Sequence, residues 1–299
     1  MSLASERFPL ESLAAPIFVF IWSTGFIIAR FGMPYMEPAT FLFIRFTGVL
    51  IVMGIIIILF WKPVWPNRSQ TIHIAIAGAL LQFGYVMGVW SAVRLGMTAG
   101  LVALIVGLQP ILTAWSASWV SERVSYQQWL GLLLGIGGVA LVVAEKTSFA
   151  NIPVAAFIFA IAALFAITFG TLYQKKYCPQ FDLRAGSMIQ FSISTVLCLV
   201  VALLFETREV VWNASVIGAL LWGILPTSIG AISLLFILIR KGAATKVTSL
   251  LYLTPPTTAL MAWFLFDEPL SLIMLAGLGL TMTAVILVNY QQNSSPKTQ

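Results

Sequence analysis

Arg45 is the clearest ionisable side chain inside an apolar stretch of this chain, and it is flanked by Ile44 and Phe46. A charge there is costly, so an intramembrane ionisable residue is a functional candidate by default. Two roles are open to it. It can bind a carboxylate, or it can snorkel or tie backbone carbonyls near a span end. No Asp or Glu lies in the middle of an apolar stretch. A proton-driven carrier of cations needs an embedded carboxylate that exchanges cation for proton. Neutral, zwitterionic or aromatic solutes therefore suit this chain better. His73 is the single histidine and reads as a span-edge residue rather than a proton relay. One histidine is too few for a typical His-rich metal site, and no nucleophile–base pair is legible. No enzyme activity, metal or cofactor is expected. Cys178 and Cys198 form no framework of paired spacings, so no structural disulfide is expected.

Uncharged polar and aromatic residues supply the remaining candidates. In one stretch Gly78, Gln82, Tyr85 and Val89 recur at helical spacing and share a face. A buried Gln and Tyr need partners, and a wet cavity provides them. Trp22, Gly25, Phe26 and Ala29 form a similar face beside Ser23 and Thr24. The expected substrate-binding set is Trp22, Gln82, Tyr85, Trp90, Phe165, Thr168, Trp222 and Tyr252. For each aromatic the competing role is core packing or the interfacial belt. The solute's polar ends would meet Gln82, hydroxyls and free backbone groups, and its side chain would pack on Trp22 and Tyr85. Pro110, Pro226, Pro255 and Pro256 each remove a backbone donor inside a span. Such breaks are tolerated at membrane depth only beside protein or a cavity. Pro110, Pro255 and Pro256 are expected to bend their helices and act as gating points, a static kink being the alternative. Glu122 and Glu268 lie at span ends, where pairing with Arg or Lys, or capping a helix, is the expected role.

The elements that must position these residues follow from composition. Of 299 residues, 60% are apolar and 9% charged, with a mean hydropathy of +0.99. A soluble domain carries roughly 25% charge. The chain is therefore an integral membrane protein. Its apolar stretches are about 20 residues long, the length of a spanning helix, and they do not alternate as barrel strands do. Ten spans are expected, at 12–32, 38–60, 71–93, 98–120, 127–145, 153–173, 184–205, 213–237, 244–266 and 271–290. With the N-terminus inside, cytoplasmic connections and tails hold eleven Lys and Arg against four outside. Both termini are then expected in the cytoplasm. The sequence pI near 9.5 is on this reading a topology signal, and no nucleic-acid partner is expected. The first apolar stretch reads as a span rather than a removed signal peptide. Residues 1–11 and 291–299 are expected to be cytoplasmic tails, the latter disordered.

The chain is also a duplication. Shifting it by 146 residues without a gap aligns 92–142 with 238–288, and twelve of 51 positions are identical. Among them are Arg94/Arg240, Pro110/Pro256, Glu122/Glu268 and Ser125/Ser271. Shared apolar bias does not put Arg, Pro, Glu and Ser in step. Each repeat, 12–146 and 153–290, holds five spans. An odd number means that the second enters the membrane from the opposite side. Inverted repeats are a transporter architecture in which two halves rock about a midplane site.

The paired segments run from Gly107-Leu108-Gln109-Pro110 to Ser121-Glu122-Arg123-Val124-Ser125, and from Leu253-Thr254-Pro255-Pro256 to Asp267-Glu268-Pro269-Leu270-Ser271. They resemble the doubled signature of EamA-type members of the drug/metabolite transporter superfamily. The resemblance covers about Ala14 to Tyr290. It implies an all-α, ten-helix, basket-shaped carrier around a central cavity, with the last helix of each repeat peripheral and available for dimer contacts. Monomer and homodimer both fit. Arg123 stands where the second repeat has Pro269, so the two turns differ in stiffness. The expected function is inner-membrane export of small neutral metabolites by alternating access, foremost aromatic or aliphatic amino acids. Efflux of drugs, dyes or cations, and export of nucleosides or other metabolites, are the alternatives. A channel is disfavoured, since no charged or carbonyl filter motif is present.

Overall fold

The computed structural model describes residues 10–60, 62–121, 126–143, 152–231, 234, 253–268 and 270–292. Among these, the regular elements are helical, and Met36 and Val210 make an isolated antiparallel bridge. The α-helices are α1 Leu10–Gly32, α2 Pro38–Phe60, α3 Arg68–Gly78, α4 Tyr85–Arg94, α5 Ala99–Val106 and α6 Gln109–Ser121. They continue with α7 Tyr126–Val143, α8 Val154–Tyr177, α9 Leu183–Phe205, α10 Ala214–Trp222, α11 Thr254–Phe266 and α12 Leu272–Gln292. Two π-helical segments interrupt them, Ala79–Gly84 between α3 and α4, and Gly223–Gly230 after α10. Among the described residues, four helical stretches are long and apolar enough to cross a membrane: α2, Arg68–Arg94, α8 and α9.

Polar residues set the helix starts. Asn67 accepts from the Gln70 amide, and Gln70 returns a side-chain acceptor to Asn67, a complete capping box. Asn213 accepts from the Val216 amide and begins α10. Thr98 and Asp182 do the same for α5 and α9. Asn67 and Asn213 are 146 positions apart, and so are the helix starts Arg68 and Ala214. The same interval separates Tyr126 from Leu272 and the π-segment ends Gly84 and Gly230. The duplicated spacing thus governs where helices begin and where their hydrogen-bond register slips.

Contacts follow the same interval with the halves exchanged. A Cβ on Gly48 of α2 would lie 2.5 Å from Ile224 of the second π segment. The positions 146 away are Ser194 and Gly78, and the Ser194 hydroxyl donates to the Gly78 carbonyl at 3.2 Å. Each π segment is therefore docked on the second helix of the opposite repeat.

Packing is closest where glycine permits it. Apolar helix faces gain little from leaving lipid, so close backbone approach carries much of the association. A Cβ on Gly88 would lie 2.7 Å from the Phe159 carbonyl and 2.9 Å from the Ala163 Cβ, both on α8. Gly138 and Gly277 lie so close that either Cβ would fall 2.7 Å from the other's carbonyl oxygen, joining α7 to α12. The spacings Gly84/Gly88 and Gly131/Gly135 fit either internal packing or a dimer. Gly84 and Gly88 face α8, and Gly135 faces Ile111, Leu108 and Ala284 of this same chain. The buried core includes Trp90, Phe41, Phe46 and Phe191, with Phe41 and Trp90 rings 4.5 Å apart.

Candidate functional site

Arg45 comes from the second turn of α2 and is 6% exposed. It does not snorkel. Its Nε donates to the Gly223 carbonyl at 3.2 Å and its Nη2 to the Ser228 hydroxyl at 3.1 Å. The guanidinium lies 5.6 Å from the Phe46 ring centroid and 5.8 Å from that of Trp90, the range of a cation–π contact. Pro226 has no N–H, so the carbonyl four residues earlier loses its α-helical donor. The Thr227 hydroxyl donates instead to Trp222 O, and the Ser228 hydroxyl to Gly223 O. Gly223 also leaves room, since a Cβ there would lie 3.1 Å from Arg45 Cδ and Nε.

The first π segment carries Gln82 and leads into Tyr85. Gly78 and Val89 are buried, whereas Ala79 through Met87 are all half-buried. The four residues expected on one α-helical face are thus not equivalent, because the wider π turns shift the register between them. Tyr85 lies within electrostatic reach of Arg45.

The other expected residues divide. Trp222 is 41% exposed and its indole N–H donates to Thr24 Oγ1 at 2.9 Å, which ties α10 to α1. Trp22 is half-buried, 5.6 Å from the Phe18 ring. Phe165 and Phe169 are exposed and stacked at 5.9 Å. Thr168 is fully buried, with its hydroxyl on the Leu164 carbonyl at 2.7 Å. Trp90 is 1% exposed and belongs to the core as well as to the Arg45 cage. Tyr252, like Ser233, Thr248, Glu122, Arg123 and Arg240, lies outside the described residues, and nothing of the Trp119 side chain is described.

Pro226 lies inside the second π segment, whereas Pro110, Pro255 and Pro256 open helices rather than bending them. The fourth stretch is two helices, α5 and α6, joined at Gly107 and Leu108, and Pro110 sits in the first turn of α6. Proline is tolerated there because first-turn amides have no intrahelical partner. Pro255 and Pro256 occupy the first turn of α11 for the same reason. Pro255 packs on the first break, where a Gly107 Cβ would lie 2.7 Å from its Cγ.

One end of the bundle is laced shut by polar contacts. Glu206, following α9, accepts from the Ala39 and Thr40 amides and the Thr40 hydroxyl, each at 2.7 Å. Glu37, preceding α2, reciprocates with the Thr207 amide at 2.6 Å and hydroxyl at 2.8 Å, and with the Arg208 amide at 3.3 Å. Partial burial pushes the Glu37 carboxyl up, but these donors and nearby Arg94 outweigh it and hold it below the usual carboxylate range. Arg94 Nη1 donates to Met33 O at 2.7 Å. Glu268 caps α5 through the Ala99 amide at 3.3 Å and faces Arg30 at 4.0 Å. It therefore both pairs with a cation and caps a helix, the helix belonging to the other repeat. Its Oε2 is buried without a partner among the described residues, and burial pushes its carboxyl above the usual range.

The far end carries a second set of polar contacts. Asp182 binds Arg184 at 2.8 Å and the Val64 amide at 3.1 Å. The Arg184 hydrogen bond holds the Asp182 carboxyl at about 2. His73 Nδ1 meets the Tyr173 hydroxyl at 2.8 Å, and its ring stacks on Tyr177 at 5.1 Å. A cavity of about 240 Å³ lies beside them, lined by Gln70, Ile74 and Tyr177 through Phe181. None of the expected binding residues lines it. Among the described residues no cluster of metal-ligating side chains occurs.

Apolar membrane-length helices, a duplicated register and two halves docked on one another's π segments define a multi-pass membrane transporter. The model of the EamA-like transporter family matches twice, over residues 10–144 and 154–290, and the chain belongs to that family. It is 29% identical over 283 residues to the transporter YvbV of Bacillus subtilis (strain 168), covering 93% of this chain and 91% of that one. A protein of Salmonella typhimurium (strain LT2) named "probable amino-acid metabolite efflux pump" is 25% identical over 172 residues, 56% of this chain and 54% of its own. A solved crystal structure superposes with a TM-score of 0.67 over 94% of this chain and 97% of its own, at 17% identity, a likeness of fold alone.

Proposed function

We propose that the protein exports small neutral metabolites, foremost aromatic or aliphatic amino acids, across the bacterial inner membrane by alternating access. Its two five-span repeats would be inverted, with both termini in the cytoplasm. The observation that carries the mechanism is the exchanged docking: Gly48 with Ile224 in one half, Ser194 with Gly78 in the other. Two equivalent interfaces related by one interval suit a pair of halves that rock between mirror states. The laced end, with Glu37, Glu206 and Glu268, would then be the outer gate in its closed state, and the End with the His73 cluster would face the cytoplasm. The substrate would sit between the π segments, against Gln82, Tyr85 and Trp22.

Amino acids are favoured by the name of the Salmonella relative and by the lack of a mid-span acid, which disfavours cations. The general run of sequence and aromatic content also resembles the bacterial amino-acid exporter YddG. The test is uptake of a radiolabelled amino-acid panel by proteoliposomes of purified protein, with and without a pH gradient. Saturable uptake of aromatic or aliphatic amino acids is the expected result. Vesicles that move a dye or nucleoside but no amino acid would overturn the substrate class and leave the carrier standing.

A further inference from the structure

We infer that Arg45 is a carboxylate-binding residue of the transport site, so that the transported solute is recognised as an acid and not merely as an apolar side chain. This rests on the carrier reading above. A guanidinium has five N–H donors and is always charged. Two of Arg45's are satisfied, by Gly223 O and Ser228 Oγ, and the other three have no acceptor among the described residues. The residue is more than nine-tenths buried.

No internal carboxylate among the described residues neutralises it. Of the described acidic side chains, Glu37, Glu206, Asp182 and Glu268 are each committed to partners at the ends of the bundle. Among the described residues Arg45 makes no salt bridge. A carbonyl, a hydroxyl and two aromatic faces solvate the cation partly but leave its charge intact. A buried unpaired cation is expensive, and an anionic ligand that docks on it recovers the cost.

The repeat makes the case sharper. The position equivalent to Arg45 in the second half is Phe191, which packs 5.5 Å from Phe46. The scaffold thus accommodates an aromatic residue at this place, so docking a π segment on its neighbour does not itself require a cation. The position equivalent to Ser228 is Gln82. The two π segments therefore offer unlike polar groups, Ser228 bearing Arg45 on one side and half-buried Gln82 on the other. Tyr85, three residues after Gln82, lies within electrostatic reach of the guanidinium and inside the half-buried stretch from Ala79 to Met87. A pair of this kind distinguishes the two ends of a zwitterion: carboxylate to Arg45, amine toward Gln82. A fork of N–H groups fits a planar carboxylate better than a single ammonium does.

The experiment compares L-phenylalanine with its amide as competitors of labelled phenylalanine uptake in proteoliposomes, for the wild type, Arg45→Lys and Arg45→Met. The wild type should favour the acid by tenfold or more. Arg45→Lys should shrink that preference several-fold, and Arg45→Met should abolish it. A purely structural arginine would lower activity toward both competitors alike and keep the preference, which overturns the inference. If no amino acid is moved by the wild type, the export reading fails, and thermal stabilisation of the purified protein by benzoate against benzamide decides this one. Acid-selective stabilisation lost in Arg45→Lys upholds it, and equal stabilisation by acid and amide in the wild type overturns it. Arg45→Lys keeps the charge and the stem, so the comparison stands if Arg45→Met does not fold.

Discussion

Replacing Glu206 by Gln tests whether the laced end is a gate. The carboxylate holds three donors at 2.7 Å, two of them amides at the start of α2. Hydrogen bonds to a charged acceptor are worth about 1.5–3 kcal/mol each and neutral ones about 0.5–1.5 kcal/mol. Gln keeps one acceptor oxygen, turns an NH2 toward donors, and removes a negative charge from a helix N-terminus, itself worth about 0.3–1 kcal/mol. Allowing for partial exposure, the closed state should lose about 2–3 kcal/mol. At about 1.4 kcal/mol per tenfold, the ratio of open to closed molecules at this end rises by about 30- to 140-fold. The assay is thiol labelling of a cysteine placed at Thr24, beneath the gate, in a background lacking Cys178 and Cys198, with circular dichroism as the check on folding. Labelling should accelerate by at least tenfold in Glu206→Gln, and Glu37→Gln should act in the same direction. If Glu206→Gln labels and transports like its parent while remaining folded, the Glu206 contacts are ornament on a rigid connection and the gating argument fails.

Three further outcomes follow from the packing and the charges. Gly88→Val should sharply reduce the yield of folded protein, at a cost of roughly 3 kcal/mol from overpacking against α8; Gly54→Ala, with nothing within 4 Å of the new Cβ, should be neutral, and equal yields of the two would refute the close-approach argument. Glu268 has a folded pKa above its ordinary value of 4.5, so the folded state binds the proton more tightly and stability falls as pH rises through that raised pKa. Glu268→Gln should flatten this fall in melting temperature, and a wild-type–variant difference independent of pH would contradict it. Asp182 is held at about 2 against an ordinary 3.8, so its contribution is present above 3.8 and fades as pH falls toward 2; because its partner Arg184 stays about a third exposed and solvent screens the pair, Asp182→Asn should cost only about 1 kcal/mol at neutral pH, measured by thermal melting in detergent.

Much of this was legible in the residues. Apolar length announces the long helices α2, α8 and α9 and the stretch Arg68–Arg94, and Asn67 and Asn213, 146 positions apart, mark two helix starts with the same chemistry. The π segments were less so. Nothing in Ala79–Gly84 announces a wider turn, because a register slip needs no special residue type when a neighbouring helix supplies the missing contacts. Pro226 does announce one, and the repeat interval carries that signal back to Leu80. Arg45 was legible as a costly charge, but its partners Gly223 and Ser228 are 178 and 183 residues away, a distance over which no local pattern speaks. Pro110, Pro255 and Pro256 read as mid-span bends because the break at Gly107 and Leu108 is made by backbone turns, whose boundary sequence alone places poorly.

The exchanged docking also bears on how the chain is made. Gly48 waits for Ile224, and Gly78 for Gln190 and Ser194, all of them in the half synthesised later. When the first five segments leave the ribosome they carry two notched surfaces with nothing to fill them. The nascent half must therefore persist in the bilayer as an unfinished piece until its counterpart arrives, and two separately expressed halves should find each other there through the same notches.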